Sequence, residues 1–175
     1  HLSDVMAGTE SGNRMNLETF VQRNYMEKIL RDANRRFRDM SNGQFELKLI
    51  NVEDAGEGKN KGLDLEVYSI VTGKTRSVNT LSGGESFMAA LSLALGMADQ
   101  IQAATAAIHL DVMFIDEGFG SLSDNARNEA VNILKEMAGK QRQIGIISHV
   151  SELKDEIENQ LIVKKDDRGS HISWR

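Results

Sequence analysis

A chain of 175 residues with 40% hydrophobic side chains can bury one real core, and that length leaves little room for a second full domain. With no cysteine, a disulfide scaffold and a thiolate metal site are both excluded, and a net charge of -5 argues against a surface that grips nucleic acid all over. The lack of proline and the 5% aromatic share favour long helices joined by glycine turns, while the most apolar stretch, Phe87 to Ala98, is too short to span a bilayer and reads as a buried core helix.

Residues 1–13 are polar and glycine-dotted, with no sustained periodicity, and read as a loose N-terminal arm. From Asn16, placed to cap a helix, Leu17, Phe20, Val21, Met26, Ile29, Leu30, Ala33, Phe37 and Met40 recur largely at three- and four-residue steps. Asn42-Gly43 ends that helix as a left-handed C-terminal cap does. Between Arg14 and Arg38, Arg14, Arg23, Lys28, Arg31, Arg35, Arg36 and Arg38 outnumber Glu18, Glu27 and Asp32. Two readings stand for this basic stretch: a solvated face with intrahelical ion pairs, or a contact to a phosphate backbone.

Gln44 to Asn51 alternates as a strand, with Phe45, Leu47 and Leu49 on one face and Glu46 and Lys48 on the other. A glycine- and charge-rich loop, Glu53 to Gly62, leads to a second alternating segment, Leu63 to Val71, which Thr72-Gly73-Lys74 turns into Arg76 to Asn79. These predict an antiparallel sheet with one solvated face. After Leu81 the period lengthens, and Glu85 to about Ala107 reads as a long, buried helix rich in Ala, Leu and Met. Val112 to Ile115 and Gln143 to Ile147 are short apolar runs suited to buried strands, separated by an amphipathic helix from Asp124 to Ala138 that Gly139 stops. That alternation points to a parallel sheet. A helix around Glu152 to Glu158 precedes a hairpin of Gln160 to Lys165 and His171 to Trp174, turned through Asp166-Asp167-Arg168-Gly169.

Three places carry chemistry. In Ser82-Gly83-Gly84-Glu85 the serine can cap a helix and the glutamate can reach back to it, the reciprocal arrangement of a capping box. The two glycines between them leave backbone N–H groups uncovered at a helix N-terminus, where partial positive charge favours a phosphate. In Phe114-Ile115-Asp116-Glu117 an apolar strand ends in two acids, which places them at the carboxyl edge of a parallel sheet, where ligands of open α/β folds bind. Neighbouring carboxylates point to different sides, so Asp116 suits Mg2+ held through a water and Glu117 suits polarising an attacking water. Taken singly, such a pair of acids reads as a solvated loop. His149 ends the apolar run Ile144 to Ser148, where a histidine can hydrogen-bond a γ-phosphate and help position a water. Gly118 to Ser123 forms a loop directly after the acids, with Ser123 placed to cap the next helix.

In their order, Leu81-Ser82-Gly83-Gly84-Glu85, Leu110 to Glu117, Gly118 to Leu122 and His149 resemble the signature motif, Walker B strand, D-loop and switch histidine of the C-terminal lobe of ABC-type ATPases. No stretch fits the phosphate-cradling G-x-x-x-x-G-K-[ST]. The runs Leu81 to Leu91 and Phe114 to Leu122, with Phe20 to Phe45 before them, are similar to the SbcC family, ATPase subunits of bacterial SbcCD DNA nucleases within the SMC- and RecN-related superfamily. The likeness covers nearly the whole chain from about Arg14, and residues 14–175 are expected to form the lobe.

The implied fold is α/β: the C-terminal lobe of an ABC-type P-loop ATPase head, a mixed sheet with flanking helices, preceded by a helix leading from a coiled coil. The resemblance implies that this is the last part of a longer protein whose N-terminal lobe carries the Walker A motif. It implies two heads, as a homodimer, enclosing ATP and Mg2+. Ser82, Gly83, Gly84 and Glu85 would meet the γ-phosphate held by the other head, flanked by the D-loop residues Gly120, Ser121 and Leu122. Asp116, Glu117 and His149 would act on the nucleotide of their own head. An SbcD-like nuclease and double-stranded DNA are the implied partners, in DNA repair, with a cytoplasmic, nucleoid-associated location and no membrane. The alternative is an SMC-like or RecN-like chromosome-organising head, and a stand-alone binding module is a third possibility. The chain departs from the family where an aspartate commonly follows the D-loop leucine: here Ser123 stands there and Asp124 comes one place later.

Overall fold

The computed structural model describes residues 17–51, 62–104, 110–138 and 142–175. The expected arm over residues 1–13, the cap at Asn16, most of the loop from Glu53, the helix end at 105–107 and the stop at Gly139 lie outside the described residues.

Helix α1 spans Leu17–Met40 and buries Ile29, Leu30, Ala33, Phe37 and Met40, the second half of the stripe expected from the apolar spacing, whereas Leu17, Phe20 and Val21 of its first half are exposed. Asn42 (φ 51) and Gly43 (φ 74) are left-handed, and the Gly43 N–H donates to the Arg38 carbonyl at 2.7 Å, closing the helix as predicted. Strands β1 (Phe45–Leu49), β2 (Leu65–Ser69) and β3 (Lys74–Ser77) form an antiparallel sheet in the order β1-β2-β3. The third strand ends earlier than its side chains suggest, because Val78–Thr80 closes into a 3-10 turn capped by the Ser77 hydroxyl, which accepts from the Asn79 N–H. Leu47 and Val67 face the core as a cross-strand pair.

Helix α2 spans Gly83–Ala104, starting two residues before the expected Glu85, and lies against α1. The two come close at Gly96, where a Cβ would come within 2.7 Å of the Ile29 carbonyl oxygen and 3.1 Å of the Ala33 Cβ. By length and composition alone α2 could cross a bilayer. Its burial of Met88, Leu91, Ser92, Leu95 and Ala98 against the rest of the chain is that of a core helix.

Strands β4 (Val112–Asp116) and β5 (Gln143–Ile147) pair in parallel, with α3 (Asp124–Ala138) as the crossover. Met113, Ile115, Ile144 and Ile146 pack on the core, whereas Val112, Phe114 and Ile147 are exposed on the opposite face. The Phe114 ring lies across Gly145, its register partner. Parallel and antiparallel pairings are thus both present, in separate sheets. The expected helix over Glu152 to Glu158 shrinks to one turn, α4 (Leu153–Glu156), anchored by buried Leu153. The chain continues through the hairpin β6 (Leu161–Asp166) and β7 (Gly169–Trp174), whose Leu161, Val163, Ile172 and Trp174 are exposed.

The basic stretch of α1 is not one solvated face. Arg36 is buried and pairs with Asp99 of α2 at 2.6 Å, Arg38 pairs with Glu46, and Arg23 donates to the carbonyls of Ile50 and Gly62. Among the described residues, packing fixes three of its bases, and Lys28, Arg31 and Arg35 are left exposed, Lys28 over the Tyr25 ring.

Candidate functional site

The predicted residues form two separate groups. The first is the turn into α2. The Ser82 N–H donates to Glu85 Oε2 at 2.8 Å and the Glu85 N–H donates to Ser82 Oγ at 3.3 Å, the reciprocal pair expected of a capping box, which contributes on the order of 1 kcal/mol. The Ser86 N–H takes the Ser82 carbonyl at 2.8 Å and begins the helical ladder. The N–H groups of Gly83 and Gly84 have no acceptor among the described residues. They sit where the helix dipole favours an anion, and Ser82, which accepts through its oxygen, keeps its own O–H free to donate.

Arg76, on β3, was not anticipated by the motif. Its Nη2 lies 3.3 Å from Glu85 Oε2, and its Nη1 donates to the Thr80 carbonyl at 2.7 Å and to Thr80 Oγ1 at 3.0 Å. Burial pushes the Glu85 carboxyl up, but the Ser82 N–H and the Arg76 guanidinium together outweigh it and hold Glu85 below its ordinary value. No spacing rule predicts such a partner from a strand six residues before the serine.

The 3-10 turn Phe119–Ser121 packs directly on this motif. A Cβ on Gly84 would meet the Ser121 carbonyl oxygen at 2.6 Å, so a side chain there would push the two segments apart. Phe119 is fully buried and meets Phe87 of α2 edge to face at 5.1 Å, and a Cβ on Gly118 (φ 95) would strike the same Phe87 ring. Gly120 faces the side chain of buried Val150, and Leu122 is in the core. Ser123 caps α3 through its hydroxyl, which accepts from the Ala126 N–H at 3.4 Å, while Asp124 pairs with Arg127. Here serine supplies the cap and the aspartate one place on is engaged within its own helix. A cavity of about 260 Å³ beside the turn is lined by Ser82, Gly84, Glu85, Ser121 and Ser123 together with Ser41, Asn42 and Gln44 from the end of α1 and the start of β1.

The second group lies at the carboxyl ends of β4 and β5. Asp116, the last residue of β4, is exposed on the open face. Glu117 is left-handed (φ 57), a conformation that costs a residue with a Cβ roughly 1–2 kcal/mol. Its N–H donates to the Ile147 carbonyl at 2.8 Å, which extends the parallel ladder one step beyond β4 and holds the strained residue in place. The turn aims its carboxylate at His149, whose Nδ1 lies 2.8 Å from Glu117 Oε2. His149 itself stands out, its side chain 81% exposed, between Ser148, whose hydroxyl accepts from the Val150 N–H, and Val150, buried against Gly120.

The predicted site residues therefore fall into a capped helix N-terminus backed by Ser121 and an acid–histidine pair, linked through the loop 118–122. Asp116 is close in sequence to the pair but makes no hydrogen bond or ion pair with it among the described residues. No three His, Cys, Asp or Glu side chains gather into a metal cage among the described residues. One or two carboxylates at an open strand end suit Mg2+, which takes few protein ligands, keeps waters and shares substrate phosphates, and do not suit a closed structural metal.

A family model described as SbcC/RAD50-like, Walker B motif, matches residues 60–136. The SbcC subunit of the nuclease SbcCD from Vibrio cholerae is 45% identical over 172 residues, 98% of this chain and 17% of that protein. Its counterpart from Lactococcus lactis is 41% identical over 169 residues, 94% of this chain and 16% of that protein. The chain thus spans a small part of the length of these relatives. Among solved structures, one from work on ATP-driven dimerization and DNA-stimulated activation of SMC ATPases superposes with a TM-score of 0.65 at 21% identity, covering 90% of this chain and 89% of that one. An Smc head bound to the C-terminal winged-helix domain of ScpA superposes with a TM-score of 0.66 at 22% identity, covering 99% of this chain and 49% of that one. At those identities the likeness is one of fold, that of the C-terminal lobe of an ABC-type head.

Proposed function

We propose, because this chain belongs to the SbcC/RAD50-like family, that it supplies the signature half of a nucleotide site which a second copy of the head completes, and that ATP hydrolysis there controls access of DNA to a partner nuclease. The observation that carries the reading is the turn itself: Ser82 and Glu85 satisfy one another, and the N–H groups of Gly83 and Gly84, beside Ser121, have no acceptor among the described residues. Such a turn binds a phosphate presented from outside the chain, since no phosphate-cradling loop is found within it.

In this proposal Ser82, Gly83 and Gly84 receive the γ-phosphate of ATP held by the opposite head, with Glu85 bracing the turn and Gly120, Ser121 and Leu122 forming the loop that lies along the junction. Glu117 takes the proton of the attacking water, and His149, 2.8 Å from it, orients the carboxylate and donates toward the phosphate. Mg2+, held by Asp116 through a water, would neutralise charge on the transferring phosphate. Residues 14–175 are the lobe in this scheme, and residues 1–13 the arm at the base of the coiled coil. Of the basic stretch, exposed Lys28, Arg31 and Arg35 are the described side chains available to a DNA backbone. An SbcD-like nuclease is the proposed partner, after the SbcCD relatives, and the location is proposed to be cytoplasmic and nucleoid-associated. The Gly118-Phe119-Gly120 loop favours this over an SMC-like or RecN-like chromosome-organising head.

The test is complementation. The 175-residue chain alone is expected to release no phosphate from ATP, and addition of the lobe that carries the Walker A motif is expected to bring turnover with it. Appreciable hydrolysis by the pure chain would overturn the split site.

A further inference from the structure

We propose that Arg76 is the positioning residue of the Ser82–Glu85 turn, holding it in the form that can accept a phosphate from another head; this rests on the trans role given to that turn above.

Arg76 pairs in register with Val67, on the face of the antiparallel sheet turned toward the core. Its guanidinium lies over the Phe45 ring, 5.3 Å from the centroid, a contact that helps to hold the side chain in place beside its polar ones. The two arms of the fork then serve different segments. Nη1 takes both oxygens of Thr80, at the end of the 3-10 turn just before the motif, and Nη2 takes Glu85 Oε2 inside it. That same carboxylate oxygen accepts the Ser82 N–H. One guanidinium thus ties the approach to the turn, the glutamate within it and, through that glutamate, the backbone at Ser82.

This arrangement has an electrostatic consequence as well as a geometric one. A phosphate arriving at Gly83 and Gly84 meets the negative charge of Glu85 one residue away, and that charge repels it unless a cation compensates. Arg76, paired with Glu85 Oε2, supplies that cation. A lysine in its place would keep the charge but lose the fork, because a single ammonium does not present the same two-armed geometry to Thr80 and Glu85.

The experiment is a double-mutant cycle in the full-length protein that carries this segment, reading the ATP concentration at half-maximal head dimerisation and, separately, turnover by heads already closed. Arg76→Met keeps the stem over Phe45 and is expected to raise that concentration by about tenfold, with turnover of closed heads unchanged. In a Glu85→Gln background the same Arg76 substitution is expected to add less than about twofold, since the partner charge is already gone. Arg76→Lys, which keeps the charge, is expected to fall between wild type and Arg76→Met, and it stands in should the methionine variant not fold. Effects that multiply in the double variant, or Arg76 variants that close as wild type does while Ser82→Arg does not, would overturn the role of Arg76 alone. Indifference of closure to Ser82→Arg as well would overturn the trans reading beneath it.

Discussion

Glu117→Gln, in a head assembled with its Walker A lobe and a second head, is expected to slow ATP hydrolysis by about 100- to 10,000-fold and to leave ATP-driven dimerisation intact. Glutamine has the size of glutamate and can still hydrogen-bond the His149 ring now 2.8 Å from the carboxylate, but it cannot take a proton from water. The left-handed backbone at residue 117 is held by the N–H bond to the Ile147 carbonyl, which the substitution does not touch, so the loop keeps its course. The turn at Ser82–Glu85 lies elsewhere in the lobe and keeps its contacts. Chemistry and closure should therefore separate, as phosphate release and light scattering would report. Loss of dimerisation with hydrolysis preserved would show that Glu117 has been given the wrong role.

Ser82→Arg is expected to do the reverse, leaving the heads monomeric by light scattering in the presence of ATP. Ser82 is exposed at the N-terminus of α2, and an arginine there projects into the space where the opposing γ-phosphate would sit. The substitution also removes the hydroxyl that accepts the Glu85 N–H, at a cost of about 1 kcal/mol to the cap. That loss is small beside a typical folding stability of roughly 5–15 kcal/mol. Ser82→Ala separates the two effects. It loses the same cap without filling the space, so it should match the arginine variant in thermal unfolding and retain much more of the closure.

The long elements were legible because their periods are clean. The apolar steps from Leu17 to Met40 set α1, although only those from Ile29 onward are buried, the alternation about Leu47 and Val67 set the antiparallel sheet, and the runs Val112 to Ile115 and Gln143 to Ile147 set the parallel pair. What sequence periodicity could not supply was decided by contacts between segments distant in the chain. Arg36 looked like one more base on a solvated helix, yet Asp99, brought over on α2, gives it a buried partner, and Arg142 reaches the same carboxylate at 3.0 Å. The end of β3 followed from the Ser77 hydroxyl taking the Asn79 N–H, a local competition between side chain and ladder that alternation does not record. The helix expected over Glu152 to Glu158 shortened to one turn because Leu153 alone among its side chains finds the core.

At the site, the capping box was legible from Ser82 and Glu85, and the strand-end acids from the run before them. The contact of Glu117 with His149 depends on the parallel register of β4 and β5, which places Ile147 beside Asp116 and brings the two following loops together. The packing of Ser121 on Gly84 and the hold of Arg76 on Glu85 depend likewise on tertiary approach, and the glycine at position 84 is the trace that the first of these leaves in the sequence.

The Glu117→Gln and Ser82→Arg substitutions also combine into the most direct measurement of whether the turn acts on another head's nucleotide. With one head of a covalently linked pair carrying Ser82→Arg and the other Glu117→Gln, trans action leaves one site with both an intact turn and an intact glutamate. Phosphate release from that mixed pair should then return to about tenfold or more above a pair carrying either substitution in both heads. A mixed pair as inactive as the two uniform ones would mean that Ser82 and Glu117 serve the same head's nucleotide, contrary to the trans assignment.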